Sequence, residues 1–206
     1  NNPLTGILAY SSMAEEREDL DPQLREDLQT ITHETQRCAE IVRGLLDFGR
    51  ESIPTKKFTA IDALLDKTLA LVQHQAIFQD ILIQRNYAED MPLIEVDPNQ
   101  LEQVFMNMFL NAAHAMPGGG ALSIDTWQDS DKMMIAISDS GSGISAENLT
   151  KIFDPFFSTK DQQGTGLGLS VSYGIIKNHG GTIDVESTEG VGTRFLISLL
   201  MGDLLT

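Results

Sequence analysis

Two glycine-rich stretches on either side of a phenylalanine-rich segment decide how this chain folds. The first reads DSGSG over residues 139–143, the second reads GTGLGL over residues 164–169, and FDPFF lies between them at 153–157. Alternate glycines permit positive φ and let a ligand approach the backbone closely. The second stretch leads into an apolar helical pattern, so it predicts a helix N-terminus whose unpaired N–H groups favour phosphate. Either stretch alone is weak evidence, but the pair around a lid-like segment indicates an anion-binding pocket.

The carboxylate of Asp139 is the second clue. Residues 132–139 alternate, with Met133, Ile135 and Ile137 on one face, and the period of two places Asp139 on that same face. A carboxylate that points inward is unfavourable unless it accepts hydrogen bonds. A flat donor such as an adenine amino group would satisfy it. A neighbouring backbone N–H or an arginine would satisfy it equally well, and the residues themselves leave both open.

Length, charge and cysteine content limit the class of protein. The 206 residues suffice for one large domain or two modest ones, and the longest apolar runs are far shorter than the roughly 20 residues that span a bilayer. A net charge of −16 argues against binding to nucleic acid or to an anionic membrane surface. The single cysteine excludes an internal disulfide and favours a reducing compartment, so we expect a cytoplasmic location. No signal peptide is visible, and the abrupt start suggests a fragment.

The first 50 residues read as two helices. Residues 4–16 and 22–50 are amphipathic, and Asp21 with Pro22 makes a turn between them. The apolar stripe of the second helix advances in steps of four and three, which favours a bundle seam. It consists of Leu24, Leu28, Ile31, Thr35, Cys38, Val42, Leu45 and Gly49, and it makes Cys38 a core thiol. We predict an antiparallel hairpin that pairs with a second copy into a four-helix bundle, with packing against the second domain as the alternative.

The start of the first helix has two interpretations. Asn2 fits an N-cap with Pro3 at the first helical position, which the cap preferences favour. The same residues also fit the interior of a helix that begins earlier.

The remaining residues have a mixed pattern. Residues 50–57 resemble a linker, so we divide the chain into a hairpin domain at 1–51 and a second domain at 52–206. The second domain is predicted to contain helices at 61–78, 98–116 and 165–178, and strands near 56–60, 81–87, 93–96, 121–127, 132–139, 182–187 and 192–199. The fold class is therefore α+β: a helical hairpin followed by an α/β sandwich with helices on one face of a mainly antiparallel sheet.

The helix at 98–116 carries an unusual polar stripe. Asp97 and Pro98 give it a sound start, and Gln103, Asn107, Asn111 and His114 follow one another along one side. Asparagine is a poor interior helix residue, so two of them one turn apart suggest a cavity wall with oxygen ligands for a hard cation. Asparagines that bond local backbone or water are an equally good interpretation at this point. On the last strand, Thr193 shares the inward face of its apolar neighbours.

Five motifs that occur in order, together with a stretch at the front of the chain, closely resemble the catalytic core of bacterial sensor histidine kinases, and the likeness covers nearly the whole chain. They are Asn1-Asn2-Pro3-Leu4, similar to the end of the phosphoacceptor motif; Asn107-x-x-x-Asn111-Ala112, similar to the N box; the two glycine boxes from Asp139 and from Gly164; the F box at 153–157; and Gly190-x-Gly192-Thr193.

The resemblance implies a role for each matching residue. Asp139 would bind the adenine amino group with Thr193 acting through water, Asn111 would ligate Mg²⁺, and Asn107 would line the phosphate site. Gly141, Gly143, Ile144, Gly164, Thr165, Gly166, Leu167, Gly168 and Leu169 would line the ATP or ADP pocket. Residues 145–163 would form a mobile lid, with Lys160 beside the γ-phosphate. Asn2 would position water for dephosphorylating a regulator. His114 stands where many relatives carry a phosphate-touching lysine.

The same resemblance implies an ATP-dependent protein-histidine kinase. The γ-phosphoryl group would pass to a histidine on the hairpin of a homodimer, and then to an aspartate of a response regulator receiver domain. That histidine would lie three residues before Asn1, and none of His33, His74, His114 and His179 matches it. We therefore expect these 206 residues to bind nucleotide without phosphorylating themselves. The alternatives are a nucleotide-binding dimerisation module without phosphotransfer, and another ATPase of the wider superfamily, such as a chaperone or topoisomerase type.

Overall fold

The computed structural model describes residues 2–17, 19–49, 54–159 and 165–201. It contains a helical hairpin followed by an α/β sandwich, as the sequence predicts. The helices are α1 (Asn2–Glu15), α2 (Pro22–Gly49), α3 (Ile61–Val72), α4 (Pro98–Ala115), α5 (Ala146–Leu149) and α6 (Gly168–Asn178). The strands are β1 (Lys57–Thr59), β2 (Ile81–Tyr87), β3 (Ile94–Val96), β4 (Gly120–Asp129), β5 (Lys132–Asp139), β6 (Thr182–Thr188) and β7 (Gly192–Leu200). The predicted division at residues 51 and 52 lies outside the described residues and stays a prediction.

Helices α1 and α2 form the predicted antiparallel hairpin. Arg25 closes the turn, because its guanidinium donates to the carbonyl oxygens of Glu15 at 2.7 Å and Arg17 at 2.9 Å. Further along, the Thr32 hydroxyl donates to Ser11 Oγ across the two helices at 2.9 Å. Asn2 is the first described residue of α1, and residue 1 lies outside the described residues, so both interpretations of this helix start stay open.

Several large apolar side chains of the hairpin remain exposed. Tyr10 is 78% exposed and Met13 66%, and Ile7, Leu24 and Ile31 are close to half exposed. Cys38 is exposed as well, so in this single chain it is not the buried thiol that its position on the stripe suggested. The hairpin therefore buries only part of its apolar surface by itself.

A five-stranded sheet forms the second part, with the strand order β2-β4-β5-β7-β6. Three of its four pairings are antiparallel, whereas β2 and β4 run parallel, which differs from the antiparallel expectation. The chain returns from β2 to β4 through β3 and α4, and a crossover of that length permits parallel pairing. Strands β1 and β3 form a separate antiparallel ribbon.

The core lies between this sheet and helices α3, α4 and α6. Its largest fully buried side chains include Leu65, Phe105, Phe109, Ile124 and Ile135. The helix predicted over 61–78 ends at Val72, and a 3₁₀ turn at Ala76–Phe78 follows it. That turn redirects the chain so that Phe78 is buried in the core, with 3% of its surface exposed.

Asp97 holds together the corner where α4 begins. Its Oδ1 accepts from the backbone N–H groups of Asn99 and Gln100, and its Oδ2 accepts from the N–H of Thr55 at 2.8 Å. Its own N–H donates to Nε2 of His179 at 2.9 Å. Burial alone would raise the pKa of Asp97, but these donors outweigh it and leave the pKa lowered. The carboxylate therefore stabilises the fold at neutral pH, and this contribution is lost only as the pH falls through the lowered pKa.

We predict that Asp97→Ala lowers the free energy of unfolding by at least about 2 kcal/mol. A lost cap alone costs about 0.5–2 kcal/mol, and the loss of the hydrogen bond from Thr55 to the charged Asp97 adds about 1.5–3 kcal/mol. Urea unfolding, monitored through the fluorescence of Trp127, measures the stability of the part of the fold that contains the sheet. Trp127 is the chain's single tryptophan. Asp21→Ala removes an exposed cap of α2 and should leave the Trp127 transition unchanged. Equal midpoints for wild type and Asp97→Ala would contradict the prediction.

Candidate nucleotide-binding site

The acidic end of β5 lies beside the start of β7. Asp139 pairs with Thr193 across the two strands, and their side chains lie on the same face of the sheet. Asp139 Oδ1 accepts from the N–H of Gly141 at 2.9 Å, so a backbone donor does satisfy part of the carboxylate. Burial raises the pKa of Asp139, while the N–H groups of Gly141 and Thr193 oppose that rise. A carboxylate with lone pairs to spare therefore sits at the edge of the apolar core.

The loop after Asp139 is packed tightly against two other elements. The N–H of Ser142 donates to the carbonyl oxygen of Ala115, at the end of α4, at 3.0 Å. Gly143 has a φ of +67°, and a Cβ there would lie 2.1 Å from the carbonyl oxygen of Thr188. Only glycine fits such a position, because the conformation is left-handed and backbone occupies the space of a side chain. The first glycine box thus closes a wall between α4 and β6.

Ser187 connects the pieces of this wall, and the sequence analysis missed it. Its Oγ accepts from the N–H of Ile144 at 2.8 Å, donates to the carbonyl oxygen of Gly192 at 2.8 Å, and lies 3.0 Å from Thr193 Oγ1. The available signal was the alternation of β6, which puts Ser187 on the same face as Ile183 and Val185.

The two asparagines of α4 lie beside the start of α6. Asn111 Nδ2 contacts Asn107 Oδ1 at 3.5 Å, and Asn107 Nδ2 donates to Ser172 Oγ of α6 at 3.1 Å. Both are half-buried. Within the described ranges, no donor contacts Oδ1 of Asn111, so this oxygen is available to a ligand. His114, one turn further on, is exposed.

Helix α6 begins at Gly168, three residues later than predicted. Its N-cap residue, Leu167, makes no side-chain hydrogen bond to the first turn. The backbone there lies close to α4, since a Cβ at Gly168 would sit 2.2 Å from Asn107 Oδ1. An uncapped N-terminus of an 11-residue helix, placed beside two amide side chains, suits a phosphate group.

The remaining predicted residues fall in different places. Leu167 is buried and Leu169 packs against the core, so only their backbones can face a ligand. Thr165 accepts from the N–H of Leu167 through its hydroxyl at 3.4 Å. Lys160 and Gly164 lie outside the described residues, and so does the side chain of Asn2.

The described part of the expected lid contacts the core through Ile152 and α6 through Phe153. Ile152 is buried, and Phe153 lies 5.3 Å from the Tyr173 ring of α6. Phe156 is 58% exposed and has a φ of +67°, while a Cβ at Gly166 would meet its backbone at 2.4 Å. The F box and the second glycine box are therefore in direct contact.

One amide oxygen beside the start of α6 is of the kind that a divalent cation binds. Across residues 2–17, 19–49, 54–159 and 165–201, no group of three or more His, Cys, Asp or Glu side chains could hold a metal. The free Oδ1 of Asn111 is the kind of hard oxygen that Mg²⁺ accepts, and Mg²⁺ commonly takes its other ligands from phosphate and water.

Comparison with known proteins gives the family. Residues 96–203 match the histidine kinase-, DNA gyrase B-, and HSP90-like ATPases, and residues 1–52 match the His Kinase A (phospho-acceptor) domain. The chain is 36% identical to the signal transduction histidine-protein kinase AtoS of Escherichia coli over 199 residues, covering 96% of this chain and 32% of that protein. It is 34% identical to sporulation kinase E of Bacillus subtilis, covering 96% and 27%.

Solved structures of histidine kinases have a similar fold. Full-length ShkA in complex with AMPPNP has a TM-score of 0.78 at 22% identity, covering 98% of this chain and 44% of that one. ThkA in complex with the response regulator protein TrrA has a TM-score of 0.75 at 26% identity, covering 96% and 57%.

The fold and the site define a member of the histidine kinase-, DNA gyrase B-, and HSP90-like ATPase class. Within that class, the chain belongs to the sensor histidine kinases, of which it has the catalytic core. The chain spans less than half the length of the curated relatives it matches. Among the helices that the structure describes, none is long and apolar enough to cross a membrane.

We predict that Gly168→Ala lowers the affinity for a nucleoside triphosphate by about tenfold or more, the effect of losing one hydrogen bond to a charged group. The new methyl group would push the Asn107 amide away from Ser172, while the core stays intact. Gly174→Ala is the matched control, because the same helix has open space there. It should retain affinity and stabilise α6 by about 0.5–1 kcal/mol. Calorimetry measures both variants, and equal affinities would contradict the prediction.

Proposed function

We propose that this chain is the kinase core of a two-component sensor, which binds Mg-ATP and transfers the γ-phosphoryl group to a histidine of a helical hairpin. The observation that carries the proposal is that α4 borders both groups: the loop after Asp139 bonds to Ala115 at the end of α4, and the uncapped start of α6 lies against Asn107 about two turns earlier. The side with Asp139 and Thr193 suits a purine base, and the side with Asn107 and the start of α6 suits phosphates.

The base would lie against β5 and β7. Asp139 retains lone pairs after accepting from Gly141, and an adenine amino group is a donor of the right shape for them. Thr193 is 6% exposed and lies on the same face, so it would support the same amino group directly or through water. Gly141, Gly143 and Ile144 would surround the base.

The phosphates would lie between α4 and α6. Their charge would be offset by the N–H groups from Thr165 to Leu169 and by Mg²⁺ on Asn111 Oδ1. This local compensation matters because the chain as a whole carries a net charge of −16. Asn107 would orient the phosphate chain, and His114, Lys160 and Gly164 are proposed to complete the site. When bound, Mg²⁺ would withdraw charge from the phosphate oxygens.

The transfer itself would be an in-line displacement. A ring nitrogen of the acceptor histidine attacks the γ-phosphorus, the bond to the β,γ-bridging oxygen breaks, ADP departs and the imidazole releases its N–H proton to water. A receiver-domain aspartate then takes the phosphoryl group from the imidazole. The protein would contribute mainly positioning and charge stabilisation. Contact between α2 and α6 supports communication between the hairpin and the site.

The hairpin would be the surface for partners. A groove of about 530 Å³ is lined by Pro3, Gly6, Ile7, Tyr10, Ser11, Leu28 and Ile31. Its apolar walls support a homodimeric four-helix bundle. A response regulator receiver domain is the proposed second partner, and Asn2 would orient water for its dephosphorylation. These partners fit a cytoplasmic location for this part of the parent protein.

We predict that Asp139→Asn weakens Mg-ATP binding by about 10- to 100-fold, the effect of losing a charged acceptor worth about 1.5–3 kcal/mol. The nucleotide-free variant should be at least as stable as wild type at pH 7. The reason is the raised pKa of Asp139: its stabilising effect is present below about pH 4 and is lost as the pH rises through that pKa. Calorimetry at pH 7 measures the affinity for Mg-ATP, and thermal unfolding at pH 7 and below about pH 4 measures the stability. The exposed Asp184→Asn is the control for both. Unchanged affinity in Asp139→Asn would contradict the proposed site.

The same proteins test the reaction. A separately supplied hairpin that carries the acceptor histidine should gain acid-labile label from γ-labelled ATP with wild type, and far less with Asp139→Asn. Binding without any transfer would favour a nucleotide-binding dimerisation module. Release of phosphate without a phosphoprotein would favour another ATPase of the superfamily.

We also predict that Ile7→Glu converts a dimer into a monomer in sedimentation experiments. Ile7 is 45% exposed and lines the groove, so in a bundle its replacement would bury an unpaired charge. Gln29→Glu adds the same charge at an exposed position of α2 that does not line the groove and should remain dimeric. A monomeric wild type would rule out the proposed interface.

A further inference from the structure

Ser187 is surrounded by groups that use its full hydrogen-bonding capacity. A hydroxyl group has one hydrogen and two acceptor lone pairs. The N–H of Ile144 can only donate, so it takes one lone pair of Ser187 Oγ. The carbonyl oxygen of Gly192 can only accept, so at 2.8 Å it takes the hydrogen. The remaining lone pair faces Thr193 Oγ1 at 3.0 Å.

This arrangement fixes the direction of the third bond. Since Ser187 donates its hydroxyl hydrogen to the carbonyl oxygen of Gly192, the hydrogen between the two hydroxyl groups must come from Thr193. If Ser187 donated to Thr193 instead, its oxygen would face the Gly192 carbonyl with lone pair against lone pair. Thr193 therefore donates to Ser187, and both lone pairs that remain on Thr193 Oγ1 are acceptors.

The Thr193 hydroxyl therefore acts toward a ligand as a hydrogen-bond acceptor, as the carboxylate of its neighbour Asp139 does. The carboxylate accepts from the N–H of Gly141, and it offers only lone pairs to whatever lies against it. Two adjacent acceptors on one face require a donor from the ligand. A bridging water gives the same result, because a water that donates to both groups can only accept from the base.

We infer that Ser187 is a positioning residue that makes the proposed ATP site specific for a 6-amino purine, by holding the Thr193 hydroxyl as an acceptor. This rests on the proposed function. A 6-oxo purine such as hypoxanthine would place its carbonyl oxygen against two acceptors. Thr193 could turn its hydrogen toward that oxygen only by breaking the bond to Ser187. Asp139 supplies affinity for the amino group, and Ser187 prevents its neighbour from adapting to the wrong base.

The test compares ATP with ITP, which carries an oxygen in place of the 6-amino group. Calorimetry with Mg²⁺ gives the ratio of the two dissociation constants for each variant. Both nucleotides encounter the same fraction of competent protein, so the ratio is insensitive to a partial loss of folded protein. We expect wild type to prefer ATP, and Ser187→Ala to reduce that preference about five- to tenfold, as the release of one hydroxyl group would.

A double-mutant cycle separates this role from a general effect on folding. Thr193→Val removes the hydroxyl and should reduce the preference to a similar degree. Adding Ser187→Ala to Thr193→Val should then change the ratio no further, because Ser187 acts through Thr193. Ser198→Ala is the matched control: its hydroxyl lies 2.8 Å from Thr182 Oγ1 on the same pair of strands, remote from the site, and its ratio should equal that of wild type.

The outcomes distinguish the two claims. If Ser187→Ala leaves the ratio of the ATP and ITP dissociation constants unchanged, the inference is overturned. It is also overturned if Ser187→Ala lowers the preference for ATP as much in Thr193→Val as in wild type. A wild type that binds neither nucleotide overturns the proposed function along with it. If thermal unfolding shows that Ser187→Ala does not fold, Ser187→Cys serves instead. A thiol is a weak acceptor of similar shape, so the preference should fall in the same direction.

Discussion

The proposed site depends on one carboxylate that lies at the edge of an apolar core and accepts from the backbone. Asp139 closes the inward face of β5, and the chain around it is shaped to reach it. Gly192 opens β7 directly beside it, where a Cβ would lie 2.0 Å from the Asp139 carbonyl oxygen. The N–H groups of Gly141 and Thr193 lie close enough to oppose the effect of burial on the pKa of Asp139. The glycines near this residue are therefore needed for packing around the acid as well as for access by a ligand.

A second constraint joins the two helices of the site. Asn107 reaches across from α4 to Ser172 of α6, and Ser172 in turn donates to the carbonyl oxygen of Gly168 at 3.0 Å. The amide wall and the uncapped helix start are thus one unit and keep a fixed separation. An asparagine costs helix stability, and here that cost is offset by a contact that orders the neighbouring helix.

Much of the fold and of the candidate site could be predicted from the sequence, and the features that were predicted wrongly or missed have physical causes. Alternation along β5 predicted the inward Asp139 correctly, because one register satisfies a buried face. The start of α6 was placed three residues early, since glycines give no periodic signal and the true start is set by contact with Asn107. The parallel pairing of β2 with β4 depends on a crossover rather than on either strand's residues. Ser187 escaped notice because a single serine in a strand is common, and only its three partners distinguish it.

Helix α6 is the element that all of these features share. Its first residue borders the phosphate end, Ser172 holds Asn107, Tyr173 meets the F box, and His179 just beyond its end accepts from Asp97. These contacts are on different sides of one helix of 11 residues. Inserting or deleting one residue would turn everything beyond that point by about 100°. The length of this helix is therefore as strictly constrained as its composition, and variation among related chains should take the form of substitutions here, with insertions confined to the flanking loops.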